Sequence, residues 1–316
     1  MKDLYFACCD VKGGIMHYVK DRDRYIFRDF TPCDRPMYID IDGSVMHVLL
    51  RAPFSYCDHS AVLDFGINSD GSLSPVGTMK DTNGIVACHL CHAFGKVYYT
   101  NYLSGSVSSS AGELSVHEGC GKNPIRQEAP HTHYIAASPD GKYLLNTDLG
   151  LDMIFVYDKE LRIISTANVP EGHGPRHLAY SCDGRFVFCV NELMSTVSVF
   201  KYDNGILTLQ STVSALIEKN ADCTAAAIRN KDDRIYTSHR GNNEISVFAW
   251  RNEKLIMLGS YTCGGDSPRD IMPVENHIIC ANQMSDSVTF LDINGDCPEL
   301  LNTVIKMPSP ICIAVL

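Results

Sequence analysis

Residues 175–200 read PRHLAYSCDGRFVFCVNELMSTVSVF, and they combine three strand signals with two turn signals. Small and apolar residues come first, an Asp-Gly pair follows at Asp183 and Gly184, and a run of β-branched and aromatic residues comes next. A polar turn that contains Glu192 then leads into the alternating residues 197–199. Asp-Gly between such runs is a strong hairpin signal, because glycine adopts a positive φ without steric cost. The stretch therefore predicts a small antiparallel sheet.

The same order of signals recurs along the chain. Clear copies occupy residues 132–157 and 223–248, and weaker copies begin near residues 36, 89 and 269. Successive copies start about 45 residues apart, and a repeat of that length with several strands per unit is typical of a propeller blade rather than of a helical solenoid. The repeat therefore predicts a β-propeller.

Six copies are visible, and the two ends of the chain can supply a seventh. It would combine a C-terminal strand at residues 310–316 with N-terminal strands around residues 4–7 and 25–27. Joining the ends in one blade pairs strand edges that would otherwise be open. No segment has sustained helical periodicity. We therefore predict an all-β fold, a seven-bladed β-propeller, with residues 1–316 in a single domain.

Composition and net charge limit the classes of partner and the cellular compartment that we expect for this protein. The net charge is −10, which disfavours nucleic acid because phosphate binding needs a basic face. We find no signal-peptide pattern and no apolar stretch long enough to span a bilayer, so we expect a soluble, cytoplasmic protein with no membrane contact. Many of the 14 cysteines lie in apolar runs, where reduced thiols are expected.

Polar residues recur at matching positions of the repeats, where the innermost strands of a propeller face its central channel. Those expected just before the first strand of successive blades are His89, His133, Arg176, Thr224 and Arg269, and those just after the second strand are Tyr102, Asp148, Glu192, Arg240 and Gln283. Arginine, histidine and carboxylate side chains around a shared space suit an acid–base site for an anionic substrate. A set of purely structural ion pairs is the alternative interpretation.

Several segments resemble the signature segments of the bacterial propeller-type 6-phosphogluconolactonases. They are residues 130–133 with 148–150, 174–177, 190–200, 238–241, and 267–270 with 281–286. That family also includes fungal 3-carboxy-cis,cis-muconate lactonising enzymes, in which a histidine, two arginines and a glutamate of the channel form the active-site set. The resemblance implies catalytic roles for His133, Arg176, Glu192 and Arg240, with His131 as a second candidate for the histidine.

The resemblance implies hydrolysis of a sugar-acid lactone, with 6-phosphogluconolactone of the pentose phosphate pathway as the first candidate. Glu192 is the candidate general base, and His133 competes for that role. The arginines suit the developing oxyanion and a phosphate or carboxylate, since a guanidinium donates two parallel hydrogen bonds. We expect Arg269, Asp148, Gln283 and His131 to bind substrate.

The expected partner is a small anionic lactone, and the expected state is a monomer or a weak homo-oligomer. The resemblance implies no cofactor and no metal, although channel histidines such as His131 and His133 could converge on a metal ion. The same residues would also serve a lactonising reaction. A propeller that binds proteins without catalysis is a further alternative, since fold does not imply function.

Overall fold

The computed structural model describes residues 2–22, 24–218, 220, 222–295 and 297–316, and the regular structure within them consists of 28 β-strands. These strands form seven antiparallel sheets of four strands each. Consecutive strands pair as neighbours within each sheet, and the innermost strands of adjacent sheets lie side by side around an axis. The prediction of an all-β, seven-bladed propeller is therefore confirmed. The described part of the chain contains no helix with the length and apolar character needed to cross a bilayer.

The strands are numbered in chain order, and the blades are numbered from the first one that is complete in sequence. Blade 7 takes β1 (Lys2–Cys8), β2 (Gly14–Asp21) and β3 (Arg24–Pro32). Blade 1 contains β4 (Pro36–Asp42), β5 (Val45–Leu50), β6 (His59–Ile67) and β7 (Leu73–Ile85). Blade 2 contains β8 (Ala87–Ala93), β9 (Lys96–Asn101), β10 (Ser106–Ser109) and β11 (Leu114–Val116). Blade 3 contains β12 (Thr132–Ala137), β13 (Leu144–Asp148), β14 (Met153–Tyr157) and β15 (Ile163–Asn168).

The second half of the ring repeats the same plan. Blade 4 contains β16 (Pro175–Tyr180), β17 (Phe186–Asn191), β18 (Thr196–Asp203) and β19 (Ile206–Ser214). Blade 5 contains β20 (Thr224–Lys231), β21 (Arg234–Arg240), β22 (Glu244–Arg251) and β23 (Lys254–Thr262). Blade 6 contains β24 (Pro268–Val274), β25 (His277–Asn282), β26 (Ser287–Asp292) and β27 (Glu299–Lys306), and β28 (Pro310–Val315) completes blade 7.

Blade 7 closes the ring by joining the two ends of the chain. Its order is β28-β1-β2-β3, and β28 pairs antiparallel with β1 in a register that sets Leu4 opposite Val315 and Phe6 opposite Ile313. The innermost strand of this blade is thus C-terminal and the other three are N-terminal. This is the shared closing blade that the sequence predicts.

Apolar side chains fill the spaces between blades. Between blades 4 and 5, for example, Phe186, Phe188 and Val197 pack with Ile235 and Phe248, and each of the five is at most 2% exposed. Alternation of apolar residues along β17 and β21 directs these side chains into the core, while the tight turns lie at the blade tips. The Asp-Gly turn of blade 4 has the positive φ that glycine favours, 68° at Gly184.

A β-bulge interrupts the innermost strand of six blades close to the channel. The bulged residues, each of which is the extra residue between two paired neighbours, are Met37, Cys88, His133, Arg176, Arg269 and Ile311. A bulge re-aims a side chain and is often found next to an active site. The six residues therefore form an equivalent set, which we call the bulge ring.

The strand pairings correct the sequence alignment in two places. Asp148 is the last residue of β13 and is equivalent to Asn191, not to Glu192. Cys88, and not His89, is the blade 2 equivalent of Arg176, because the extra residue shifts the register by one. His89 corresponds instead to His177 of blade 4. Thr224 begins β20 and pairs directly with Arg240, so blade 5 has its register shift further along the strand. The residues expected before the first strands thus lie inside those strands.

Candidate active site

Glu192 lies at the end of the channel where the innermost strands begin. It directly follows β17, and its backbone N–H donates to the carbonyl of Gly174 at 2.7 Å. Its own carbonyl accepts from the N–H of Ala225 at 3.0 Å. These two bonds fix the residue between the starts of β16 and β20. The side chain is almost completely buried, so its charge must be balanced by neighbouring groups.

Three arginines share the carboxylate of Glu192. Oxygen Oε1 accepts a hydrogen bond from Nη2 of Arg126 at 2.6 Å. Oxygen Oε2 accepts from Nε of Arg176 at 3.0 Å and lies 3.1 Å from Nη2 of Arg240. Charge-assisted bonds of this kind are stronger than bonds between neutral groups. Both oxygens of the carboxylate are therefore occupied by cationic donors.

The charged groups of this cluster shift one another's pKa values. Burial alone would raise the pKa of Glu192, but Arg240 and Arg176 outweigh burial and hold that pKa well below its usual range. Burial and the charge of Arg240 lower the pKa of Arg176 to about 9. Burial and Arg240 likewise lower the pKa of Arg269. At neutral pH the carboxylate is ionised, and the guanidinium groups around it remain protonated but repel one another.

Arg269 and Gln283 of blade 6 extend the cluster along the channel. Nη1 of Arg269 lies 3.5 Å from Oε1 of Gln283, which is a long hydrogen bond. Arg269 also lines a cavity of about 10 Å³ together with Arg176 and Cys88 of the bulge ring. The structure thus brings Arg269 next to the catalytic candidates, with Gln283 as its immediate neighbour.

His133 occupies the bulge position of β12, where its ring lies 5.4 Å from that of His177 and 5.7 Å from that of Tyr102. Burial and the charge of Arg176 lower the pKa of His133 well below its usual value, so the imidazole is neutral at pH 7. Its Nδ1 is buried and has no hydrogen-bond partner among the described residues. A neutral imidazole can take a proton from a bound water, which keeps His133 a candidate base.

His131 is held by other protein groups. Its ring stacks on Tyr102 with the centroids 4.4 Å apart, and its Nδ1 lies 3.1 Å from the carbonyl oxygen of Tyr102. Its Nε2 lies 3.2 Å from Oε1 of Glu128. Both ring nitrogens are therefore engaged, and a part for His131 in substrate binding stays a prediction.

Asp148 lies in a fully buried network at the end of β13. Its Oδ2 is 2.5 Å from Nδ1 of His117, and its Oδ1 accepts from the backbone N–H groups of His131 at 2.8 Å and Leu151 at 3.2 Å. The other nitrogen of His117 lies 2.5 Å from the hydroxyl of Tyr157. Both carboxylate oxygens are thus used inside the protein. These contacts favour a structural role for Asp148, and its predicted contact with substrate is not tested by them.

Arg126 is the member of the cluster that the sequence analysis does not identify. It lies in residues 117–131, the connection between blades 2 and 3, which has no counterpart in the repeat. The side-chain oxygen of Asn123 accepts from the backbone N–H groups of Ile125 and Arg126 at 3.0 and 3.1 Å. Gln127 anchors the same segment to the carbonyl of Leu149 at 2.8 Å. The one available signal was the length of this connection, since long loops often carry function.

One group of three potential metal ligands converges within the described residues, and it lies outside the channel. It consists of Cys57, in the connection between β5 and β6, with His59 of β6 and Asp81 of β7. Nδ1 of His59 is 3.0 Å from each oxygen of Asp81, so a hydrogen bond already accounts for that contact. The expectation of no metal and no cofactor stays a prediction.

The fold and the cluster define a class of protein, a seven-bladed propeller with a cluster of arginines around a buried glutamate at one end of its channel. Residues 20–315 match the family model described as Lactonase, 7-bladed beta-propeller, and the chain belongs to this family. The resemblance noted in the sequence is thereby confirmed at the level of the family.

Relatives and solved structures agree with this assignment. A Staphylococcus aureus protein without a characterised function is 29% identical to this chain over an alignment 314 residues long. The alignment covers 87% of this chain and 90% of the relative. The periplasmic gluconolactonase of Pseudomonas aeruginosa has a TM-score of 0.88 at 22% identity, covering 100% of this chain and 99% of that chain. A proposed 6-phosphogluconolactonase from Bacteroides fragilis also has a TM-score of 0.88 at 22% identity, covering 100% and 98%. At these identities the structural likeness shows the fold.

Proposed function

We propose that this chain hydrolyses the lactone of a sugar acid, with 6-phosphogluconolactone as the first candidate substrate and 6-phosphogluconate as the product. The observation that carries the proposal is an excess of positive charge at one end of the channel. Four guanidinium groups, of Arg126, Arg176, Arg240 and Arg269, surround the carboxylate of Glu192. The protein as a whole has a net charge of −10, so this local excess is opposite to the overall charge.

Mutual repulsion among buried cations makes an anion a favourable ligand. Burial and the charge of Arg240 together lower the pKa of Arg176 and Arg269, and a bound phosphate or carboxylate would relieve the part of these shifts that comes from repulsion. Phosphate and carboxylate also match the planar fork of a guanidinium. The lactone part of the proposed substrate, a cyclic ester, rests on membership of the lactonase family.

The arginines of the cluster differ in exposure, and we assign them different roles on that basis. The side chain of Arg126 is 38% exposed, whereas that of Arg176 is 3% exposed, so Arg126 meets the incoming anion first. Arg176 and Arg240 are held more deeply and stabilise the oxyanion that forms on the lactone carbonyl. Water attacks the carbonyl carbon and gives a proton to the base, the ring C–O bond breaks, and the ring oxygen leaves as a hydroxyl group after receiving that proton from the base.

The proton of the attacking water goes to His133 in this proposal. Glu192 has both oxygens bonded to guanidinium groups and a lowered pKa, which makes it a weak base. His133 is neutral and has a buried nitrogen free of protein partners among the described residues. Glu192 is the alternative base, because an anion that drew Arg126 away would release one carboxylate oxygen.

An assay on two lactones tests the proposed activity. Purified protein is mixed with freshly generated 6-phosphoglucono-δ-lactone or with unphosphorylated glucono-δ-lactone, with and without a chelator, and spontaneous hydrolysis is subtracted. We expect faster turnover of the phosphorylated lactone that the chelator does not reduce. Preference for the unphosphorylated lactone would overturn the assignment of the arginines to a phosphate. Absence of turnover on both would overturn the substrate class, and carboxylated muconates would be assayed next.

A further inference from the structure

A second cavity opens at the opposite end of the channel from Glu192. It has a volume of about 410 Å³ and lies where the innermost strands end. The side chains that matter for its chemistry belong to Tyr38, Asp40, His89, Tyr134, Tyr180 and Arg229. Between the two ends, Met37, Cys88, Arg176 and Arg269 of the bulge ring leave a cavity of only about 10 Å³. Since that volume holds at most about one water molecule, the two ends are separate binding spaces.

Several polar groups at this second cavity have no hydrogen-bond partner among the described residues. Arg229 has five N–H donors, of which Nη2 donates to Oδ1 of Asp270 at 2.7 Å and Nη1 to the carbonyl of Ile228 at 3.0 Å. Its remaining donors have no partner among the described residues. The same holds for the hydroxyl groups of Tyr38 and Tyr134, whereas the hydroxyl of Tyr180 donates to a backbone carbonyl at 2.8 Å. Donors are therefore available to a ligand.

An acceptor is available beside these donors. Oδ2 of Asp40 accepts from the backbone N–H of His92 at 2.6 Å, and the backbone N–H of Ile41 also donates to this carboxyl. A carboxylate has about four acceptor sites, so these two bonds leave acceptor capacity for a ligand. Burial raises the pKa of Asp40. The cavity thus presents a fixed acceptor as well as fixed donors.

The charge of the second cavity differs from that of the Glu192 cluster. Arg229 is paired with Asp270, whose other oxygen accepts from the backbone N–H of Ile313 at 2.9 Å. The two charges cancel, and an ionised Asp40 would leave one negative charge at the cavity. The cavity therefore lacks the excess of guanidinium groups that would attract an anion at the other end. Hydroxyl groups of a neutral ligand can donate to Asp40 and accept from Arg229, so the available hydrogen-bonding groups suit a neutral ligand.

Aromatic rings supply the flat walls of the cavity. The ring of His89 packs between two tyrosines, with centroids 4.0 Å from Tyr38 and 4.3 Å from Tyr134. His89 itself is buried, so it holds both rings in place before a ligand arrives. Rigid aromatic faces pack against apolar C–H surfaces, and their hydroxyl groups reach the polar edge of the same ligand. A molecule with apolar faces and a hydroxylated rim uses both features.

We propose that this second cavity binds an uncharged, hydroxyl-rich ring of monosaccharide size. The volume lies within the range of small-molecule sites, and few polar groups on mostly apolar walls are typical of them. Tyr38 and Tyr134 would pack on the ring and bond its hydroxyl groups, while Arg229 and Asp40 supply a donor and an acceptor. The proposal does not depend on the reaction at Glu192, because the two spaces are separated.

Calorimetric titration with three neutral sugars tests the proposal. D-glucose, D-galactose and D-mannose are titrated into the protein, and D-gluconate serves as the anionic counterpart. We expect saturable binding of at least one neutral sugar. The double variant Tyr38→Phe, Tyr134→Phe keeps both rings and removes both hydroxyl groups, so we expect the Kd to rise about tenfold or more. Thermal unfolding confirms that the variant remains folded.

The variant Glu192→Gln is the matched control, since it alters the opposite end of the channel. We expect it to leave the Kd of the neutral sugar unchanged. Binding that survives the tyrosine substitutions but is lost in Glu192→Gln would overturn the proposal by assigning the sugar to the other end. Absence of saturable binding by all three sugars, or tighter binding of gluconate that the tyrosine substitutions weaken, would overturn it as well. The outcome of the sugar titration does not change the interpretation of the lactone assay, because the two experiments test different ends of the channel.

Discussion

The carboxylate of Glu192 and the guanidinium of Arg126 lie 2.6 Å apart, although the two residues are separated by 66 positions in the chain. Arg176 and Arg240 approach the other carboxylate oxygen from blades 4 and 5, so they belong to the propeller repeat. Arg126 comes from the long connection between blades 2 and 3. The site therefore combines a rigid part built by the blades with one more exposed cation that a loop adds.

The exposed position of Arg126 leads to a prediction for substrate affinity. We expect Arg126→Ala to raise the KM for 6-phosphoglucono-δ-lactone about 10- to 100-fold, the typical effect of losing a charged hydrogen bond. The kcat should change much less, because Arg176 and Arg240 still face the carbonyl. Unphosphorylated lactone, which has no phosphate to lose, should show a smaller increase. Steady-state kinetics on both lactones measures the difference.

A lysine at position 126 and a distant arginine provide the controls for this effect. Arg126→Lys keeps the charge but not the planar fork, so an intermediate KM is expected. Arg185→Ala removes an exposed arginine at a blade tip, paired with Asp183 at 2.7 Å, and should change neither constant. An equal fall in kcat on both lactones with unchanged KM would show that Arg126 acts in the chemical step and not in binding.

Removal of the charge of Glu192 should disable the cluster. In Glu192→Gln the three bonded guanidinium groups lose their counter-charge, repel one another and no longer hold a fixed geometry. We expect kcat/KM to fall about 10²- to 10⁴-fold, the range typical of lost electrostatic or acid–base assistance. The exposed Glu171, which pairs loosely with Lys122, provides Glu171→Gln as the matched control. A folded Glu192→Gln variant with undiminished lactonase activity would refute the site assignment.

The pH profile separates the two candidate bases. With His133 as the base, kcat/KM should decline as the pH falls through the lowered pKa of its imidazole, which lies below 6.5. His133→Asn should then remove this limb of the profile and lower the rate about 10²- to 10⁴-fold. Persistence of the same acidic limb in a folded His133→Asn variant would assign the proton transfer to another group, with Glu192 next.

The repeat made most of the fold predictable from sequence. Each blade repeats a strand, a tight turn and an alternating strand, so their spacing predicts the blades and, through the leftover ends, the closing pair of β28 and β1. Arg176 and Arg240 follow from the same register and do meet at Glu192. The positions of residues that belong to the repeat could therefore be predicted from the sequence.

Two features of the site could not be predicted from the sequence, for different physical reasons. A β-bulge adds a residue without leaving a mark in the sequence, and this is why His89 was aligned where Cys88 lies. Arg126 lies outside the repeat, so no alignment of blades could bring it to Glu192. Its position depends on side-chain bonds of Asn123 and Gln127 within one loop.

The buried pair of Asp148 and His117 predicts a loss of stability. Asp148→Ala would leave Nδ1 of His117 and two backbone N–H groups without their partner, and breaking a buried pair of this kind typically costs about 3–5 kcal/mol. Urea unfolding of the variant against the native protein measures this cost. Asp203→Ala, which removes an exposed carboxylate at the end of β18, should change the free energy of unfolding by less than about 0.5 kcal/mol. Equal stability of the two variants would contradict the structural role of Asp148.

Acid should reveal how much Glu192 contributes to folding. Its pKa in the folded protein lies below the ordinary value of 4.5, because Arg240 and Arg176 favour the ionised form. As the pH falls below about 4.5, the unfolded chain takes up a proton at Glu192 before the folded protein does, so the contribution of this carboxylate is present above that pH and is lost below it.

Urea unfolding of native protein and Glu192→Gln between pH 7 and pH 3 tests this linkage. Glutamine cannot titrate, so the gap in free energy of unfolding should stay constant from pH 7 to about 5 and narrow below about 4.5. Other carboxylates titrate in both proteins and cancel to first order. The arginines stay protonated throughout this window, whereas His133 acts electrostatically on Glu192 and can change charge, so the comparison is repeated in a His133→Asn background. A gap that stays constant or widens down to pH 3 would mean that the arginines do not stabilise the ionised Glu192 in the folded protein.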